Sequence, residues 1–250
     1  MKQEFALSVK GLTKDFQKFV DRPNTFKTYL VQLLKGRVGF GHAERVVVLS
    51  NVSFDIAPGE FVGIMGANGV GKSTLLKLIS GIYTPSEGRI VVNGQIAPMI
   101  ELGAGFHMEL SGYENIFLNG SILGYGRNAI NAALASILAF SELGDKIHMP
   151  VKFFSSGMLA RLGFSIATHL PAPIILIDEI LAVGDAGFQA KCLSKIKSLH
   201  AEGRTLVLIS HDPNAIEQNC SRCIVLSATK KVYDGPAGMG AQVYRNLVES

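Results

Sequence analysis

Gly66-Ala-Asn-Gly-Val-Gly-Lys-Ser-Thr74 is the stretch that decides how this 250-residue chain is read. Gly66, Gly71, Lys72 and Ser73 stand at the spacing G-x-x-x-x-G-K-[ST]. Glycines let a short loop turn its N–H groups onto one anion. The lysine then reaches the outer phosphates, and the serine hydroxyl can ligate Mg2+. Ala67, Asn68, Gly69 and Val70 fill the loop, and Thr74 follows the serine. The flanks supply the context such a loop needs. Glu60–Met65 is an apolar run of strand length, and Leu75–Ser80 has helix-forming character. Strand, glycine loop and helix together aim the positive end of a helix at a phosphate group. A chance match in a glycine-rich turn would not require these flanks. The stretch therefore predicts a nucleoside triphosphate site, and leaves open what uses the energy.

Composition bounds the rest. Hydrophobic residues make up 48% of the chain, which suits a buried core and excludes disorder as the main state. The length fits one large domain, or a core carrying a smaller subdomain. The longest run without Asp, Glu, Lys or Arg is Leu162–Ile177, and it contains Pro171 and Pro173. A spanning helix needs about 20 predominantly apolar residues, so the chain is not expected to cross a membrane by itself. The first residues, MKQEFALSVK, lack the apolar centre of a secretory leader, which predicts a cytoplasmic protein. Cys192, Cys220 and Cys223 make no disulfide framework. The C-x-x-C pair has no second pair to complete a structural zinc site, so ordinary reduced thiols are expected. Residues 1–45 hold nine Lys and Arg against four Asp and Glu, whereas the remainder holds fifteen against sixteen. That excess is too small for a nucleic-acid footprint. It could lie near an anionic membrane or simply be a solvated face.

Phe5–Val9 alternates like a half-buried strand, and residues 17–45 read as an insertion. Within the insertion, Asn24 could cap a short helix with Phe26, Leu30, Leu33 and Leu34 on one face. Val46–Leu49 and Val52–Ile56 read as two strands, and Arg89–Gly94 as a hairpin strand. From Phe106 to Leu162 the texture is helical, with helices expected over Tyr113–Leu123 and Arg127–Phe140. Ile174–Ile177 and Thr205–Ile209 are compact apolar strands separated by a helix around Gln189–Ala201. Such alternation predicts a parallel sheet with helices on its faces. Cys223–Leu226 and Lys231–Tyr233 suggest a closing strand pair, and Gly240–Leu247 a final helix.

Three further stretches carry chemistry. Pro173-Ile-Ile-Leu-Ile-Asp178-Glu179 is a strand ending in two carboxylates. The carboxyl ends of parallel strands lie beside the phosphate loop in this class of sheet. Asp178 is then placed to hold Mg2+, usually through water, and Glu179 to polarise the water attacking a γ-phosphate. An acidic pair there could instead cap a helix. Leu206–His211 is another buried strand with a polar tip, where His211 could bridge the γ-phosphate and the base. Phe154-Ser-Ser-Gly-Met158 opens a helix, and Ser155, Ser156 and Gly157 form either a second anion site or a plain cap.

With these motifs in order, the chain resembles the ATP-binding cassette ATPases. Gly66–Thr74 matches the first Walker motif, Phe154–Met158 the signature, Ile174–Glu179 the second Walker motif, Val183–Asp185 the D-loop and His211 the switch histidine. The matches extend over residues 5–234. The fold implied is α/β: a P-loop NTPase (RecA-like) core with an N-terminal antiparallel β subdomain and an inserted α-helical subdomain. Residues 5–104 and 163–250 would form the core and 105–162 the helical part. The resemblance also implies ATP with Mg2+, a head-to-tail homodimer, and a site split between the loop of one copy and Ser155–Gly157 of the other. Asp185 would join that shared site, and Phe16 would stack on adenine, with Phe40 as its competitor.

Four variants narrow the branch: Ser155–Met158 with Ala160–Phe164, Glu101–His107, Gly112–Asn115 and Ala182–Gln189. They are similar to the ATPase subunits of bacterial polysaccharide exporters for capsule, O-antigen and teichoic acid. The implied partner is an integral-membrane permease, with the polysaccharide contacted only indirectly. The implied location is the cytoplasmic face of the inner membrane, held through that permease. A lipid or drug exporter subunit is the alternative, and a soluble cassette ATPase of translation or DNA repair the more distant one. No glutamine stands where a Q-loop would; Glu101 is the nearest acid or amide.

Overall fold

A computed structural model of the chain describes residues 4–19, 43–99, 103, 105–178 and 185–249. The expected helix after Asn24, together with Phe40, Glu101 and Glu179, lies outside the described residues.

The strands are β1 (Leu7–Phe19), β2 (Ala43–Ile56), β3 (Phe61–Met65), β4 (Glu87–Val92), β5 (Ile96–Met99), β6 (Ile174–Asp178), β7 (Thr205–Ile209), β8 (Arg222–Ser227) and β9 (Lys230–Pro236). The helices are α1 (Lys72–Ile79), α2 (Gly112–Ile122), α3 (Arg127–Ser141), α4 (Ser156–His169), α5 (Ala186–Ala201), α6 (Pro213–Asn219) and α7 (Ala237–Glu249). β2, β1 and β4 form a three-stranded antiparallel sheet, and the second sheet runs β5-β6-β7-β3-β8-β9. Its first five strands are parallel; β9 closes it antiparallel to β8.

Side-chain alternation explains why the central strands are apolar throughout. Phe61 and Met65 of β3, Ile175 and Ile177 of β6, and Leu206 and Leu208 of β7 face one buried cluster, shared with the helices from α2 to α5. Val62, Ile64, Ile174, Leu176, Val207 and Ile209 face the other, shared with α1 and the antiparallel sheet. A sheet covered on both faces cannot show a polar alternation. At about 25 cal/mol per Å2, each buried aliphatic side chain here contributes about 1.5–3 kcal/mol.

Two expectations are revised. The two strands expected over 46–49 and 52–56 are one strand, bent where Asn51 takes φ 52° opposite Gly11 at φ 59°. The β1–β2 register slips there, as a bulge requires. Second, Arg89–Gly94 belongs to a strand that pairs with β1 rather than with its chain neighbour. One further element was not anticipated: Ile96–Met99 is an edge strand on the parallel sheet, and its four residues and Pro98 give it too little pattern to be read in advance.

The helical stretch owes its start to Gly112-Tyr-Glu-Asn115. The Ser111 hydroxyl caps α2 by accepting from the Glu114 N–H, and the Glu114 carboxylate accepts from the Ser111 N–H, a closed capping box. Asn115 is fully buried. Its Oδ1 accepts from the His107 N–H at 2.7 Å, and its Nδ2 donates to the carbonyls of His107, Leu110 and Ser111. One side chain thus pins residues 107–111 onto the helix. Gly112 is needed because a Cβ there would lie 2.8 Å from Ile147 Cδ1.

Candidate functional site

The glycine loop joins the end of β3 to α1, between β7 and β8. Gly71 takes φ 104°, and α1 begins with no side-chain cap, so its first N–H groups are left to a ligand. A Cβ on Gly71 would sit 3.0 Å from the Val48 carbonyl and from the Leu49 side chain, so the antiparallel sheet fixes the loop from outside. A Cβ on Gly66 would meet Val70 Cγ1 at 2.6 Å and the Leu226 carbonyl at 2.7 Å. Ala67, Asn68, Gly69 and Ser73 are exposed, and Val70 and Thr74 are half-buried.

Lys72 is the buried cation of the site. It is only 7% exposed, and its Nζ donates to the Gly66 carbonyl at 2.6 Å and the Ala67 carbonyl at 3.1 Å. Burial holds its ammonium below the ordinary lysine range, while the Asp178 carboxylate acts the other way. The ammonium therefore ties the loop to itself through two carbonyls, whose place phosphate oxygens can take.

Asp178 ends β6 opposite Ile209 of β7, and Ile64 of β3 pairs with the same Ile209. The three carboxyl ends are thus adjacent, about 4.8 Å per strand. At the β7 tip Ser210 is buried, its N–H donating to the Ile64 carbonyl, and His211 is exposed. The Ser210 hydroxyl accepts from the Asp212 N–H, which shapes the turn that presents His211. Lys72, Asp178 and His211 therefore share one rim. Ser73 and Asp178 offer the hard oxygen donors that suit Mg2+, which keeps its remaining positions for water and phosphate.

Ser155, Ser156 and Gly157 lie elsewhere. Ser155 caps α4 by accepting from the Met158 N–H, and both serines are exposed. Among the described residues, no hydrogen bond joins them to the loop. Asp185 caps α5, accepting from the Phe188 N–H at 2.9 Å, and pairs with Arg161 of α4 at 2.6 Å. The backbone bond to Phe188 is the chief cause holding its carboxyl below the usual range.

Phe16 is half-buried on β1, edge-on to Tyr83 at 5.5 Å, with Lys14 Nζ 4.9 Å from its ring centre. Neither Tyr83 nor Arg161 is visible as a site neighbour in the sequence, since each meets its partner only through tertiary packing. The cysteines are buried thiols; desolvation pushes Cys192 and Cys223 up to about 12 and Cys220 higher still, which makes them inert.

A family model described as "ABC transporter" matches residues 49–182, more than half of the chain. The chain belongs to that family. Its relatives include the O-antigen export system ATP-binding protein RfbB of Klebsiella pneumoniae, 44% identical over 87% of this chain and 85% of that protein. RfbB of Myxococcus xanthus is 46% identical over 86% of this chain, which spans only half the length of that relative. The teichoic acids export ATP-binding protein TagH of Listeria monocytogenes is 35% identical over 100% of this chain and 72% of that protein. Among solved structures, the dimeric, ADP- and Pi-bound post-hydrolysis state of the cassette MJ0796 superposes with a TM-score of 0.71 at 22% identity, covering 92% of this chain and 98% of that one. An ATP-binding subunit of an ABC transporter superposes at 0.73 and 23% identity, over 97% and 93%. At those identities the likeness is one of fold. ATP is the nucleotide of this family, and the antiparallel and mostly parallel sheets are those of its cassette.

Proposed function

We propose that this chain is the ATP-hydrolysing subunit of an ABC transporter that exports a lipid-linked cell-surface polysaccharide across the cytoplasmic membrane. The meeting of the β3, β6 and β7 ends around Lys72 carries the hydrolytic part of this reading. The cargo rests on relatives named for O-antigen and teichoic acid export.

In this reading the N–H groups of Gly66–Thr74 cradle the triphosphate, and Lys72 exchanges its carbonyl partners for β- and γ-phosphate oxygens. Phe16 stacks on adenine. Ser73 and Asp178 would hold Mg2+, which neutralises phosphate charge when bound. Glu179 orients the water that attacks the γ-phosphorus as the bond to the β-phosphate oxygen breaks, and His211 steadies the γ-phosphate. Ser155, Ser156 and Gly157, exposed at the α4 terminus, complete the site of a second copy, with Asp185 beside them. Residues 105–162 act as a helical subdomain on a core of 5–104 and 163–250.

In this reading the permease docks in one groove. A cavity of about 640 Å3 opens between the end of α1, β5, α2 and α4, lined by Ile82, Pro98, Gly103, Phe106, Ile122 and Leu123 among others. Ile82 and Ile122 are 59% and 62% exposed, an apolar lining that suits a short cytoplasmic helix of a membrane partner. No helix of the described residues is long and apolar enough to span a bilayer, so attachment would be peripheral.

Glu179→Gln is the first test: ATP binding should persist while turnover is lost, and near-wild-type turnover would exclude Glu179 as the base. Cysteine crosslinking from Ile122 should capture a permease cytoplasmic loop. Capture only from the opposite face would exclude the groove.

A further inference from the structure

A bonded polar cluster away from the nucleotide loop joins α3, α4 and α5. Arg161 of α4 donates to Asp185 Oδ2 at 2.6 Å and to Glu142 Oε2 at 2.7 Å. Its guanidinium lies 4.4 Å from the Phe188 ring centre. Lys191 of α5 bonds the other Glu142 oxygen at 2.6 Å and the Phe140 carbonyl at 3.1 Å, with its ammonium 4.4 Å from the Phe140 ring centre. Phe140, Phe164 and Phe188 pack on one another beneath the charges.

Two features set this cluster apart from a surface ion pair. Glu142 follows α3 at φ 56°, a left-handed conformation usual for glycine, so a side chain there is strained. Its carboxylate is the reason a side chain is useful at that point, because it bridges one cation from α4 and one from α5. Asp185 also has two duties: one oxygen caps α5 and the other holds Arg161. Asp185, Phe188 and Lys191 lie three residues apart on α5, so the whole opening face of that helix is tied to α3 and α4.

We propose that Arg161, held by Glu142, is a positioning residue that fixes Asp185 relative to the Ser155–Gly157 turn, so that both present to the second copy's nucleotide as one rigid unit. This rests on the reading of Ser155–Gly157 and Asp185 as parts of a shared site. Among the described residues, no hydrogen bond or ion pair joins the cluster to the Gly66–Thr74 loop, so its loss should leave nucleotide binding by the single chain intact. Arg161 suits the task better than lysine, since a planar fork can bond two carboxylates and stack on a ring at once.

The test compares Glu142→Gly, Arg161→Met and Ser156→Arg in the full chain by melting temperature, ATP binding, and steady-state kcat and KM. Glu142→Gly relieves the left-handed strain, so its melting temperature should hold or rise. Its kcat should nevertheless fall about fivefold or more with KM nearly unchanged, the size of effect that mutations along a coupling network produce. Arg161→Met should lower kcat at least as far, and combining it with Asp185→Asn should add little, because both remove the same contact. Ser156→Arg should abolish turnover. If Ser156→Arg does so while Glu142→Gly and Arg161→Met stay within about twofold of wild type, the positioning role is wrong and the shared site stands. If Ser156→Arg turns over normally, the shared site itself fails. A Glu142→Gly chain whose activity falls only with its melting temperature would make the cluster structural.

Discussion

Replacing Lys72 by Met separates the two things this lysine does. Lys72 is only 7% exposed, and its ammonium is bonded to two loop carbonyls. Hydrogen bonds to charged groups are worth about 1.5–3 kcal/mol each, so the pair supplies about 3–6 kcal/mol. Against this stands the desolvation of a buried cation, itself several kcal/mol. Met fills nearly the same volume with neither gain nor penalty, so the two contributions largely cancel and stability should change by no more than about 2 kcal/mol. For a chain of this size that is about 4–8 °C in melting temperature at most, in either direction. Binding should respond quite differently. Removing a buried charge partner costs about 2–5 kcal/mol, or at least about 30-fold in affinity for ATP.

Proton linkage adds a second signature. Burial lowers the Lys72 pKa in the folded chain. Between that lowered value and the ordinary ~10.5, the unfolded chain holds a proton that the folded chain has released, so stability rises with pH across the window. The wild type should therefore gain on Lys72→Met as pH climbs through that window toward ~10.5. Urea unfolding at the two ends of that range, with isothermal titration of ATP at pH 7.5, measures all three quantities. ATP affinity within threefold of wild type, or a melting temperature lowered by more than about 10 °C, would refute the assignment of Lys72 as a ligand rather than a loop strut.

Two other substitutions test the packing that supports the site. Asn115→Ala removes the buried amide that accepts from the His107 N–H and donates to three carbonyls, at about 1–3 kcal/mol, and should lower the melting temperature by about 2–12 °C while freeing residues 107–111 to exchange faster. Unchanged exchange there would show that the staple is dispensable. Tyr125 is 6% exposed, and its hydroxyl has no hydrogen-bond partner among the described residues. Tyr125→Phe removes an unpaired polar atom and should leave the melting temperature equal or a few degrees higher; a fall of several degrees would reveal a partner for the phenol.

The site was legible wherever its chemistry is local. Gly66–Thr74 and the Asp178 strand end are read from contiguous residues, because a loop and a strand tip are short-range objects. The parallel core was legible from the unbroken apolar runs of β6 and β7, which a sheet covered on both faces demands. What stayed hidden depends on tertiary neighbours. β5 has four residues and a proline, and only pairing with β6 makes it a strand. β2 reads as two segments because its bulge at Asn51 interrupts the alternation. Tyr83 meets Phe16, and Arg161 meets Asp185, across 67 and 24 residues of chain with no spacing rule to announce either contact. Glu142 is the sharpest case: a non-glycine residue at a left-handed position has no signal in sequence, since glycine is what the backbone prefers there.

In the proposed dimer, one copy's phosphate loop and another copy's Ser155–Gly157 turn enclose one ATP. Light scattering of the Glu179→Gln chain, with and without saturating ATP, tests it most directly. The chain should be a monomer without nucleotide, a dimer with ATP, and a monomer again when Ser156→Arg is added to a chain that still binds ATP. A chain that stays monomeric at saturating ATP, or that dimerises equally well with Ser156→Arg, would contradict it.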